Sequence, residues 1–132
     1  MEQRPYGMKV VLDDDMATAE ARTREALAAE GFGILTEIDV AATLKAKIDV
    51  DRPPYKILGA CNPPLANKAL NGEIEVGLLL PCNVVVYEAE EGTVVEAMDP
   101  GIMSKVSDSG ALAEVAVEAR ERLERALATL EG

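Results

Sequence analysis

At 132 residues the chain has the length of one ordinary domain, and its 48% hydrophobic content can bury a core that a disordered tail could not. Charged residues make up 28% and no apolar run approaches the roughly 18 residues of a membrane span, which is therefore excluded. The balance of 13 Lys and Arg against 24 Asp and Glu gives a net charge of -11, so nucleic acid is excluded as a partner by repulsion of its phosphates.

The residues after Met1 lack the basic and apolar regions of a secretory leader, so a cytoplasmic location is expected. A single Gln, no Trp and an Ala/Glu/Arg/Val/Leu bias fit a heat-adapted source. No histidine is present, which removes Ser-His-Asp and Cys-His catalysis and imidazole metal sites together. Any chemistry must then use thiols, carboxylates, amines, hydroxyls or the backbone. The four aromatics, Tyr6, Phe32, Tyr55 and Tyr87, are too few for a base-stacking platform.

Tyr6 to Leu12 reads as a first strand, and Asp13-Asp14-Asp15 supplies the cap and charge of a helix running to Glu30. Its inward stripe is Met16, Ala19, Thr23, Ala26 and Leu27, and Gly31-Phe32 forms a C-terminal glycine cap. Phe32 to Ile38 is a strand. Asp39 caps a short helix carrying Val40, Leu44 and Ile48 on one face, and the prolines of Asp49 to Pro54 make a loop. Tyr55 to Cys61 is the next strand, and Asn62-Pro63-Pro64 opens a helix that Asn71-Gly72 stops.

Ile74 to Leu80 is nearly all apolar and is expected to be a strand covered on both faces. Pro81-Cys82-Asn83 marks a bend before a strand from Val84 to Glu88, and Glu90-Glu91-Gly92 turns into Thr93 to Met98. Asp99-Pro100-Gly101 ends that strand. The last helix, carrying Leu112, Val115, Ala119, Leu123, Ala126, Leu127 and Leu130, is capped by Ser109 or Asp108, with Glu118/Arg122 and Glu121/Arg125 as exposed pairs. The order predicts one α+β domain: a five- to six-stranded, mostly antiparallel or mixed sheet under a long C-terminal helix. Edge strands, or the apolar surface of Ile74 to Leu80, would be satisfied by a second copy, so a homodimer is expected.

Both cysteines fall at strand exits, Cys61 before Asn62-Pro63 and Cys82 before Asn83. Parallel strands at 55 to 61 and 74 to 80 would bring them to one sheet edge, and antiparallel strands to opposite ends. Cys61 also precedes a helix N-terminus, which favours a thiolate or a bound anion, although cysteine is as often an inert core residue and no CxxC spacing is present. A disulfide is not expected in a reducing cytosol outside hyperthermophiles. Asn62 and Asn83 would add polar anchors beside the thiols. Glu37 and Asp99 are carboxylates available for acid, base or hard-metal work, with capping and turn roles as the plainer account of Asp39 and Asp99. Lys45, Lys47 and Lys56 read as solvated side chains.

Four strings carry a resemblance: Gly31-Phe32-Gly33-Ile34-Leu35-Thr36-Glu37-Ile38-Asp39-Val40, Tyr55-Lys56-Ile57-Leu58-Gly59-Ala60-Cys61-Asn62-Pro63, Gly77-Leu78-Leu79-Leu80-Pro81-Cys82-Asn83-Val84, and Asp99-Pro100. In this order they resemble the bacterial and archaeal "domain of unknown function 302" family, over nearly the whole chain. The resemblance implies a small, dimer-forming α+β domain and no particular activity. Three functions compete. The first is a small-ligand or metal-binding module with its site at Cys61, Asn62, Cys82, Asn83, Glu37 and Asp99, its cofactor unspecified. The second is a non-catalytic homodimeric interaction protein, and the third a thiol enzyme with Cys61 as nucleophile and Cys82 as resolving thiol.

Overall fold

The computed structural model describes residues 1–132. Its elements are β1 (Glu2–Gln3), β2 (Gly7–Leu12), α1 (Met16–Ala29), β3 (Gly33–Asp39), α2 (Val40–Ile48), β4 (Tyr55–Cys61), α3 (Pro63–Gly72), β5 (Cys82–Ala89), β6 (Gly92–Met98), α4 (Met103–Val106) and α5 (Gly110–Glu131). Two 3-10 turns, Ile74–Leu79 and Pro100–Ile102, complete the chain. The six strands form one sheet in the order β1-β2-β6-β5-β4-β3, and every neighbouring pair is antiparallel. This is the expected α+β architecture.

Local chemistry starts and stops the helices where the residues predict. Asp15 caps α1 by accepting from the Thr18 amide at 2.8 Å, Asp39 caps α2 through Ala42, and Ser109 rather than Asp108 caps α5 through Leu112. After α1, Gly31 takes the left-handed conformation at φ +85, which lets the Phe32 amide reach back to the Leu27 carbonyl at 2.9 Å. Phe32 then turns into the core.

Strand alternation sends Met8, Val10, Leu12, Leu58, Ala60, Val84, Val86, Val95 and Ala97 to one face, where they meet Ala19, Ala26 and Leu27 of α1 and Leu123, Ala126, Leu127 and Leu130 of α5. A second cluster gathers Leu65 and Ala69 of α3, Val76, and Leu112, Val115 and Ala119 of α5. The 22-residue α5 serves both clusters, which is why its apolar stripe runs its full length. The opposite sheet face carries no α1 or α5 residue and is the open face.

One expected strand is absent. Ile74–Leu79 is a 3-10 turn closed by Val76 to Glu73 and Leu80 to Gly77 amide bonds, and Ile74 and Leu78 are 80% and 87% exposed. Val76, Leu79 and Leu80 face the α3–α5 cluster, a spacing of three and one that suits a single turn of helix. A short apolar run does not reveal its own period, and this one follows the helical one. The count of six strands holds because Glu2–Gln3 pairs with β2 at the far edge.

Two smaller differences follow from tertiary partners. Arg125 leaves Glu121 and reaches Glu30 beyond α1 at 2.9 Å, while Glu118 and Arg122 pair as expected at 3.0 Å. Lys56 is not simply solvated: its ammonium lies 2.7 Å from Glu37 and 2.9 Å from Glu20.

Candidate functional site

The two thiols do share one end of the sheet, by a route the spacing did not suggest. The strand beyond the bend begins at Cys82, so antiparallel pairing sets the end of β4 beside the start of β5, with Ala60 opposite Cys82 and Cys61 the next residue along. The expectation that antiparallel strands would separate the cysteines depended on a strand at 74 to 80 and falls with it. Cys61 is half-buried and Cys82 is buried. Both line a pocket of about 30 Å³ walled by Phe32, Leu65, Leu80, Pro81, Met103 and Val115, room for about one water and no organic ligand.

This setting suppresses nucleophilic chemistry at Cys82. Burial, and then the neighbouring Cys61, push its thiol up to about 11. At neutral pH roughly one molecule in ten thousand would carry the thiolate that thiol reactions require. Beside it Asn62 is occupied, its Oδ1 accepting from the Leu65 amide at 3.3 Å as the cap of α3 and its Nδ2 donating to the Glu30 carbonyl at 3.4 Å. Cys61, Asn62 and Cys82 are thus brought together, packed rather than presented.

Glu37 lies at the far end of β3 in a four-residue ion network. It receives Lys56 at 2.7 Å and Arg24 at 2.8 Å, and Arg24 also holds Glu20 at 3.0 Å. Lys56 above all, and then Arg24, keep the Glu37 carboxyl below its ordinary range. Asp99 is at the end of β6. Its burial alone would raise it, but the Gly101 amide, Gln3 and Arg120 outweigh that and leave it lowered. Its Oδ1 accepts from Gly101 at 2.9 Å and its Oδ2 from Gln3 at 2.9 Å. Nowhere do three or more Cys, Asp or Glu side chains gather to hold a metal ion.

Asn83, one residue beyond Cys82, points to the open face and lines a different feature. There a cleft of about 550 Å³ is bounded by Arg4, Pro5, Tyr6, Gly7, Lys9, Tyr55, Asn83, Val85, Tyr87, Glu96, Ala97 and Met98. All three tyrosines of the chain border it. The register sets Tyr55 opposite Tyr87, and their rings stack with centroids 5.2 Å apart and planes 11° apart. Burial, then Tyr87 and more weakly Glu96, raise the Tyr55 hydroxyl above its ordinary value against the lowering effect of Arg52. The Arg52 guanidinium stands over the Tyr55 ring, 5.3 Å from its centroid.

The sequence did carry a signal for this cleft. Tyr55 and Ile57, Val85 and Tyr87, and Val94, Glu96 and Met98 alternate with core residues of the same strands, so they share the face the core does not use. That signal is silent until the order of strands is known. Of the six residues picked from sequence, only Asn83 borders the cleft.

A family model described as "Domain of unknown function DUF302" matches residues 8–130. The chain belongs to the DUF302 family. A crystal structure of an uncharacterized conserved DUF302 protein from Bacillus stearothermophilus is similar to this DUF302 chain at 31% identity and a TM-score of 0.88, over 96% of this chain and 99% of that one. No curated protein matches. No helix is long and apolar enough to cross a membrane.

Proposed function

We propose that this DUF302 chain is a small-molecule-binding module whose site is the tyrosine cleft of the open sheet face. The observation that carries the reading is the cleft itself: about 550 Å³ falls within the roughly 300–1,000 Å³ of ordinary ligand pockets, whereas the thiol pocket, at about 30 Å³, is about tenfold below that range. Its lining has the mixed character of such sites, with aromatic and aliphatic walls and a few polar groups, Asn83 and Glu96 among them. The thiol-enzyme reading has the least support, since Cys82, its resolving thiol, is held protonated and no histidine is available as a base for Cys61. Chemical-shift mapping with a fragment library tests the proposal. Binders should move the amides of Gly7, Lys9, Asn83, Val85, Tyr87 and Glu96, and hits that cluster around Cys61 and Cys82 instead would refute it.

The second part of the proposal is a homodimer formed through β3 and α2. β3 is a seven-residue edge strand lying almost wholly at the surface, and α2 buries no residue at all. Only Val40, Ala41 and Leu44 are even partly buried, beside β3 and β4, which leaves this nine-residue helix short of the packing a helix of its length needs. Leu35 at 68% and Ile48 at 63% exposure add an apolar surface beside the unpaired edge of this strand. A second copy pairing along this edge would satisfy both, and the edge is separate from the cleft. In light-scattering chromatography the protein should run at about twice its 14.0 kDa, and Leu35→Glu should return it to a monomer. A monomer in the unsubstituted protein would sink this part alone.

A further inference from the structure

Each basic residue bordering the cleft already has an acidic neighbour. Arg4 pairs with Glu2 at 2.8 Å and Lys9 with Glu91 at 3.5 Å. Glu96 has no such partner. Lys9 sits directly opposite it across the β2–β6 ladder, yet the Lys9 ammonium reaches towards Glu91 instead. The Glu96 side chain lies across Gly7, where any Cβ would collide with its carboxylate, so the missing side chain at Gly7 is what lets Glu96 rest there. Glu96 therefore offers the cleft a partly buried carboxylate that no side chain of the protein has claimed.

The neighbouring rings favour the same sign of charge. Tyr55 and Tyr87 border the cleft with Glu96, and Arg52 already stands over the Tyr55 ring, the kind of cation–π contact that the other rings can offer a ligand. The remaining walls, Val85, Met98 and Pro5, are apolar. Resting on the cleft reading above, we infer that the ligand is a small organic cation, an aromatic or alkyl amine, whose ammonium group is received by Glu96 while its apolar body lies against the tyrosine rings. An anion would have to lie against Glu96, and both cations lining the cleft, Arg4 and Lys9, are already paired, which leaves only Arg52 over Tyr55 to offset it. A neutral molecule would leave the carboxylate without an ion-pair partner.

The chain has no Trp, and its three Tyr all border the cleft, so intrinsic tyrosine fluorescence reads the site directly. Phenethylammonium, 2-phenylethanol and phenylacetate are probes of similar size that differ in charge. The cation should change the emission saturably and bind at least about tenfold more tightly than the other two, a difference that shrinks as salt rises. Glu96→Gln should abolish the preference, with circular dichroism unchanged. Lys9→Met removes the nearest competing ammonium and should tighten the cation by about threefold. Equal binding of all three probes, or a preference that survives in Glu96→Gln, overturns the cation inference and leaves the cleft as a ligand site. Silence of the fluorescence towards all three overturns both.

Discussion

The two faces of the sheet are made by the same strands and have opposite fates. Leu58 and Ile57 are consecutive residues of β4, yet Leu58 is fully buried under α1 and α5 whereas Ile57 stays partly open on the far side. The covered face is a close-packed aliphatic core containing Phe32 as its one aromatic residue, and the open face collects every tyrosine. The division also sets the surroundings of the thiols. Cys82 lies on the covered side, opposite Ala60, where burial removes it from solvent and keeps it protonated. Asn83, one residue on, crosses to the side where a ligand has room.

Truncating the two neighbours in β4 separates the faces by the largest margin. Leu58→Ala should cost about 4 kcal/mol in urea denaturation, because it opens a cavity in a fully buried setting, and Ile57→Ala about 1 kcal/mol. Equal costs would mean that the open face is as tightly packed as the core. Next in size is the pH response of the buried thiol. Its folded value is raised from 9.0 to about 11, so it stabilises the protein fully below about pH 9 and progressively less as the pH climbs towards 11. The loss should approach about 3 kcal/mol at the upper end, and Cys82→Ala should flatten that part of the stability profile. An unchanged profile in the variant would place Cys82 in contact with solvent.

Asn62→Ala should destabilise by about 1 kcal/mol, since it removes the cap of α3 and its bond to the Glu30 carbonyl, without altering binding in the cleft. Loss of ligand affinity in that variant would restore the thiol end as part of the site. The smallest stability effect is expected for Tyr87→Phe, which keeps the stacked ring and removes only a hydroxyl on the open face. Its melting temperature should stay within about 2 °C of the unsubstituted protein, while Tyr87→Ala should weaken any cleft ligand by about tenfold or more.

Much of the fold was legible in the chain because it is governed locally. Asp15, Asp39, Asn62 and Ser109 each cap the helix that follows them, Gly31 ends α1, and the stripe from Leu112 to Leu130 marks α5. These signals act over a few residues, so one sequence suffices to read them. The run from Ile74 to Leu80 was misread for the opposite reason. Its seven residues are compatible with strand or turn, and what decides between them is the packing of Val76 against α3 and α5, residues far away in the chain.

The class of the fold, the ends of its helices and the exclusion of histidine chemistry can all be read from the residues alone, because composition and short-range capping need no partner. Which cysteines and asparagines face inward, and where the tyrosine cleft opens, depend on how the whole chain packs. Tyr6, Tyr55, Tyr87 and Glu96 are spread over 91 positions of the chain and meet only because the sheet order places β2, β6, β5 and β4 side by side. Strand order is set by how the two helices bury a whole face at once, a cooperative outcome that no local stretch encodes.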